Sequence, residues 1–170
     1  RVLKAGGDPS KVVFSGVAKT ESELTFAMQN KVRSINIESV AELQRVQDVA
    51  ASLNVTASIA FRVNPDVDPE THPYISTGMD KAKFGVTMEA AFDAYQRAAK
   101  LPNIEVHGIA CHIGSQITKT SPFSDALEIV LNMVKRLGDV GIDIKQLDLG
   151  GGLGIDYQGE TPPSASEYVQ

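Results

Sequence analysis

Apolar positions along this chain fall into short continuous runs and longer, helically spaced stripes that alternate from end to end. Residues 12–15 (Val-Val-Phe-Ser) are a short apolar run ending at Gly16, the pattern of a strand buried on both faces. Thr20 and Glu23 have capping-box spacing and predict a helix to about Gln29. Residues 34–37 read as the next strand. Ser39 and Glu42 predict the cap of a second helix, with Val40, Leu43, Val46, Ala50 and Leu53 on one face. A third strand is predicted over 57–63, then a long irregular segment over 64–85 and a helix over 88–100. The fourth strand, 104–109, runs on to Cys111 and His112. Ser121 is predicted to cap a helix with Pro122 in its first turn and Phe123, Leu127, Val130, Val134 and Leu137 as its buried stripe. Residues 146–149 form the fifth strand.

Strands alternating with helices in this way mean right-handed βαβ units and a parallel sheet. Either an open doubly wound sheet or a (β/α)₈ barrel fits. Five strands cannot close an eight-stranded barrel, so the barrel requires further strands. Residues 1–7 look like the last turn of a helix with its glycine stop, and Ser164 with Glu167 predicts another helix start. With no initiator methionine, the chain is expected to be a single partial domain, 1–170, of a longer protein.

Composition narrows the class. A net charge of −5 without any basic cluster argues against a nucleic-acid partner. No apolar run reaches the length of a membrane span or a signal peptide core, which argues against a membrane. The single cysteine, Cys111, points to a reducing compartment, hence the cytoplasm.

In both architectures ligands bind beyond the carboxyl ends of the strands, which singles out residues 16–19, 38–39, 62–64, 111–116 and 150–154. Gly150, Gly151 and Gly152 leave the backbone free to take positive φ, and N–H groups in such a turn converge on an anion. Ile155 stands where a dinucleotide fingerprint needs its third glycine, and no Gly-Lys-Ser/Thr follows, so neither that motif nor a P-loop is present. A glycine-lined phosphate site remains, or a plain turn.

His112 at a strand end can serve as acid or base, metal ligand or stacking ring, or be a satisfied structural residue; the adjoining Gly114-Ser115 turn favours a functional role. Ser115 could reach the same anion as Gly151 and Gly152. Arg62 ends an apolar strand and needs a partner, whether carboxylate, phosphate or phenolic oxygen. Lys19 reads as a solvated lysine at a helix start rather than an imine-forming one. Cys111 reads as a buried small residue, His107 as a strand residue facing a helix or neighbouring strand, and His72 as a loop-shaping residue. Residues 64–70 lack the glycine and distal glutamate of a calcium loop, so no metal site is expected. A segment as long as 64–85 suits a lid or a partner-binding loop.

Five segments then resemble, in order and over nearly the whole chain, those of the diaminopimelate decarboxylases. They are Arg62-Val63-Asn64-Pro65, His72-Pro73-Tyr74-Ile75-Ser76-Thr77-Gly78, Lys83-Phe84-Gly85, His112-Ile113-Gly114-Ser115-Gln116 and Leu147-Asp148-Leu149-Gly150-Gly151-Gly152-Leu153-Gly154. The fourth and fifth occur across the wider group of fold-type III pyridoxal-phosphate decarboxylases; the second is the specific one, pointing to diaminopimelate rather than ornithine or arginine. The resemblance implies a (β/α)₈ TIM barrel of the alanine racemase-like type, of which this chain holds about strands 3 to 7, and a C-terminal β domain in a homodimer. It implies that His112 stacks on pyridoxal 5'-phosphate and that Ser115, Gly150, Gly151 and Gly152 hold its phosphate. It places Arg62 near the cofactor's polar edge, and His72, Tyr74, Ser76, Thr77 and Gly78 in a loop over the active site. The reaction implied is decarboxylation of meso-diaminopimelate, a small amino acid, to lysine with release of carbon dioxide.

The family's Tyr-Ala-x-Lys-Ala-Asn motif, carrying the lysine that attaches the cofactor, does not occur in these residues. Nor does its Glu-Pro-Gly-Arg motif, whose glutamate pairs with the pyridine nitrogen. The fragment alone is therefore expected to be inactive. The alternatives are another fold-type III decarboxylase or racemase, a non-catalytic homologue that binds a partner, and a generic phosphate-binding α/β domain.

Overall fold

The computed structural model describes residues 1–68, 84–157 and 159–169. Two 3₁₀ turns, Leu3–Ala5 and Pro9–Lys11, lead into β1 (Val13–Phe14), α1 (Glu21–Gln29), β2 (Ser34–Ile37), α2 (Val40–Ser52) and β3 (Ala57–Asn64). The chain continues through β4 (Val86–Thr87), α3 (Met88–Ala98), β5 (Ile104–Ala110), α4 (Ser121–Asp139), β6 (Gln146–Asp148) and α5 (Ala165–Tyr168). All pairings are parallel, in the order β1-β2-β3-β5-β6, with β4 beside the end of β3. The five predicted strands and the helices between them are all present. β4 was not predicted: it is two residues at the exit of the irregular segment, held by the register Val63↔Val86, and has no periodicity of its own.

Period-2 alternation divides the sheet into two faces. Ile35, Ile37, Ile59, Phe61 and Ile109 belong to one buried cluster with Leu24, Leu43, Val46, Tyr95, Met133 and Leu137 of the helices. The other face carries Asn36, Arg62, Gln146 and Asp148. The Asn36 side-chain amide donates to Asp148 Oδ2 at 2.9 Å although β3 and β5 lie between their strands. In a flat sheet, strands three places apart stand about 14 Å apart. The sheet must therefore curl, with its polar face as the concave interior. Gly108 helps: a Cβ there would stand 2.8 Å from the Gln146 carbonyl oxygen. His107 is the extra residue of a bulge in β5, between the pairs Val106↔Ile59 and Gly108↔Ala60.

The helix caps agree with the sequence in part. The Thr20–Glu23 and Ser164–Glu167 capping boxes are both complete. Ser39 accepts from the Glu42 amide as expected, but the Glu42 carboxylate does not return to Ser39; it accepts from the Glu38 amide at 2.7 Å. In α4 the cap is Thr120, and Ser121 is the first helical residue, because Pro122 sits in the opening turn without needing a donor. Glu42 and Gln47 are buried on α2 beside the expected Leu43, Val46 and Ala50, whereas Val40 and Leu53 are half-buried.

Candidate active site

The residues that follow β1, β2, β3, β5 and β6 meet at one end of the curled sheet. Arg62 stands beside Glu38 on the concave face, and its Nη1 donates to the Glu38 carboxylate at 3.1 and 3.4 Å. Its guanidinium also lies over the ring of Phe84, 5.6 Å from the centroid, while its Nε is buried without a hydrogen-bond partner among the described residues. The ion pair open from the sequence is thus present, and the Nε donor is left over among the described residues.

Lys19 is not solvated. It is 3% exposed, and its Nζ donates to the carbonyls of Gly16 and Asn36, both at 2.6 Å, and to Glu42 Oε1 at 3.0 Å. A lysine just before a helix cap ordinarily reaches water. Here the curl of β1 against β2 encloses it, and three acceptors satisfy all three of its donors.

His112 follows β5 and meets the glycine loop that follows β6. The Gly151 amide points at His112 Nδ1 at 3.4 Å, which makes that nitrogen the acceptor and leaves the proton on Nε2. Partial burial of the ring, with the Arg62 guanidinium beside it, holds the imidazole below its usual pKa, while the Asp148 carboxylate pulls the other way. The ring is therefore neutral at physiological pH.

The three glycines differ. Gly150 has φ +74°, and a Cβ there would stand 2.8 Å from His112 Nδ1. Gly152 has φ +108°, and a Cβ there would collide with the Gly114 carbonyl. Both are required by the close approach of two loops. Gly151 faces open space. The Gly150 amide is taken by Asp148 Oδ1 at 2.9 Å, so the loop keeps the Gly152 amide without a partner among the described residues. Ser115 is exposed on the facing turn. Gln116 joins the turns: its side-chain amide exchanges two hydrogen bonds with the backbone of Ile155, at 2.9 and 3.0 Å, and Ile117 pairs with Leu153.

Cys111 is buried as expected. Burial, reinforced by the Asp148 carboxylate, pushes its thiol up to about 11. His72, Tyr74, Ser76, Thr77 and Gly78 lie outside the described residues. Asn36, Glu38, Glu42, Asp148 and Gln116 were not singled out as site residues, although each positions one. The signal for Asn36, Glu38 and Asp148 is a polar residue at or just past the end of an apolar strand, Glu42 carries a cap spacing with Ser39, and Gln116 closes the His112–Gln116 segment.

A family model for the pyridoxal-dependent decarboxylases, pyridoxal binding domain, matches residues 1–170. The chain belongs to this family. Diaminopimelate decarboxylases of Vibrio cholerae and Pseudomonas aeruginosa are each 55% identical over 170 residues, which is all of this chain and 41% of each relative. A crystal structure of diaminopimelate decarboxylase from Helicobacter pylori complexed with L-lysine superposes with a TM-score of 0.90 at 38% identity, covering 98% of this chain and 42% of that one. The chain thus spans about two fifths of the length of the proteins it matches, and its curled parallel sheet matches part of the barrel of fold-type III decarboxylase structures.

The cofactor of this pyridoxal-dependent decarboxylase domain is pyridoxal phosphate, and the residues present fit such a group. Among the described residues the Gly152 amide, beside the open side of Gly151, and the buried Arg62 Nε have no partner, and the neutral flat ring of His112 meets the loop at Gly151.

Proposed function

We propose that this chain is the cofactor-binding segment of an enzyme that decarboxylates meso-diaminopimelate to lysine and carbon dioxide. The observation that carries the reading is the meeting of His112 with the Gly150–Gly152 loop, where His112 and Gly151 are 39 residues apart in sequence and follow two strands that are neighbours in the sheet. Relatives named diaminopimelate decarboxylase at 55% identity support the substrate, and the relative from Helicobacter pylori is complexed with L-lysine, the product of that reaction.

Each residue then has a task. The Gly152 amide, the open face of Gly151 and the Ser115 hydroxyl hold the phosphate of the cofactor; the Gly150 amide, already engaged by Asp148, shapes the loop. The His112 ring lies against the cofactor ring, and its neutral state avoids placing a second cation beside Arg62. Arg62, braced by Glu38, serves the cofactor's polar edge. His72, Tyr74, Ser76, Thr77 and Gly78 belong to a loop over the substrate. Pyridoxal phosphate, when bound, supplies the electron sink for the pair left on the α-carbon as carbon dioxide departs. Holding the reacting carboxylate in one orientation is the contribution of the surrounding side chains. The whole enzyme is assigned to the cytoplasm, in keeping with its free buried Cys111, and to a homodimer, as the resemblance implies.

The test is to incubate the full-length protein with pyridoxal phosphate and, in turn, meso-diaminopimelate, ornithine and arginine, following carbon dioxide and amine products. Lysine from meso-diaminopimelate alone supports the assignment. Turnover of another amino acid replaces it with the related-enzyme reading, and cofactor binding without turnover replaces it with a non-catalytic homologue.

A further inference from the structure

Behind Arg62 lies a ring of buried polar contacts. Gly16 gives its carbonyl to Lys19 Nζ and its amide to Glu38 Oε1, at 2.6 and 3.2 Å. Lys19 pairs with Glu42 Oε1 at 3.0 Å, and Glu42 Oε2 takes the Glu38 amide at 2.7 Å. The Glu38 carboxylate, which accepts from the Gly16 amide while Glu42 holds the Glu38 backbone amide, accepts in turn from Arg62 Nη1. Lys19, Glu38 and Glu42 are each less than a tenth exposed. The ring ties the ends of β1 and β2 to the first turn of α2, and on the concave face it meets the guanidinium of Arg62.

Stability does not explain such an arrangement. Burying a lysine and a glutamate costs desolvation that their attraction barely offsets, and replacing such a pair by apolar groups of similar size is often neutral or favourable. A closed ring does something apolar packing cannot: it fixes the direction of a carboxylate. Arg62 is consequently held through Nη1, its Nε is without a partner among the described residues, and its charge is felt by His112.

We propose that Lys19 and Glu42 are positioning residues that orient Arg62 through Glu38. They touch neither cofactor nor substrate. The proposal rests on the reading of Arg62 as a cofactor-site residue.

The experiment uses the full-length protein loaded with pyridoxal phosphate. Lys19→Met/Glu42→Leu removes both charges together, so neither is stranded. Its cofactor spectrum, cofactor affinity, kcat and KM are compared with wild type, alone and combined with Arg62→Lys. The expected result is an altered visible cofactor band and a kcat at least about tenfold lower with KM changed less, as follows from a misplaced group. Arg62→Lys should add little further loss in that background, because the two changes act through one group. A lower melting temperature with spectrum and kcat intact, or losses that multiply fully, overturns the proposal. Should the double variant fail to fold, Glu42→Gln, which keeps the side-chain volume, is read against Arg62→Lys by the same criterion. Wild type that binds no pyridoxal phosphate overturns the functional reading and this proposal with it, whereas normal wild type with unaffected variants overturns the proposal alone.

Discussion

The Asn36 side-chain amide donates both to Ser15 Oγ at 2.7 Å and to Asp148 Oδ2 at 2.9 Å, joining residues 112 positions apart across the concave face of the sheet. Asp148 in turn accepts the Gly150 amide, so the shape of the glycine loop is set from β2. Asn36→Leu should cost about 1–3 kcal/mol, since it leaves the half-buried Asp148 oxygen without its donor. Asn36→Asp should be worse, because it places a second carboxylate against the first. Urea unfolding of the full-length protein at neutral pH gives both values; equal stability for the two variants would contradict the contact.

The glycine loop yields a contrast between neighbours. Gly152→Ala meets the Gly114 carbonyl and a φ of +108°, and should destabilise by about 1–3 kcal/mol. Gly151→Ala meets nothing within 4 Å and should change stability by less than about 0.5 kcal/mol. Its methyl would nevertheless enter the space assigned to the phosphate, so cofactor affinity should fall. Thermal melts paired with cofactor titration check both; full affinity in Gly151→Ala would place the phosphate elsewhere.

His112 has a pKa lowered in the folded state from an ordinary value of 6.5, first by burial and then by Arg62. In the window between the folded and ordinary values, the unfolded chain holds more protons. The contribution of this residue is therefore absent above about pH 6.5 and destabilising as the pH falls through the folded value. His112→Asn should flatten the acid side of the stability–pH curve of the cofactor-free protein, measured as the urea midpoint. An unchanged curve would show that the ring titrates normally.

Cys111, with its thiol pushed up to about 11, should be almost entirely protonated at pH 8, with a thiolate fraction on the order of 10⁻³. Thiol reagents should leave the peptide bearing Cys111 unmodified in the native protein and label it on unfolding. Mass mapping of the labelled peptides reports this, and rapid native labelling would contradict the burial.

What the sequence determined by itself is what depends on neighbouring residues. The alternation of strands and helices, the capping boxes at Thr20 and Ser164 and the two glycine-bearing turns were all legible, because hydrophobic period and backbone freedom act over a few positions. The pairing of His112 with the glycine loop could be anticipated, since parallel strands bring their carboxyl ends to one side. Periodicity tells which face a residue occupies but not what stands opposite. Lys19 therefore looked like a surface lysine until the curled sheet enclosed it between Gly16, Asn36 and Glu42. His107 became the extra residue of a bulge only because β3 and β5 differ in register, and β4 exists only because Val63 offers it an edge. The Asn36–Asp148 bond required the curvature itself, which arises from the accumulated twist of packed strands and has no counterpart in any single stretch of the chain.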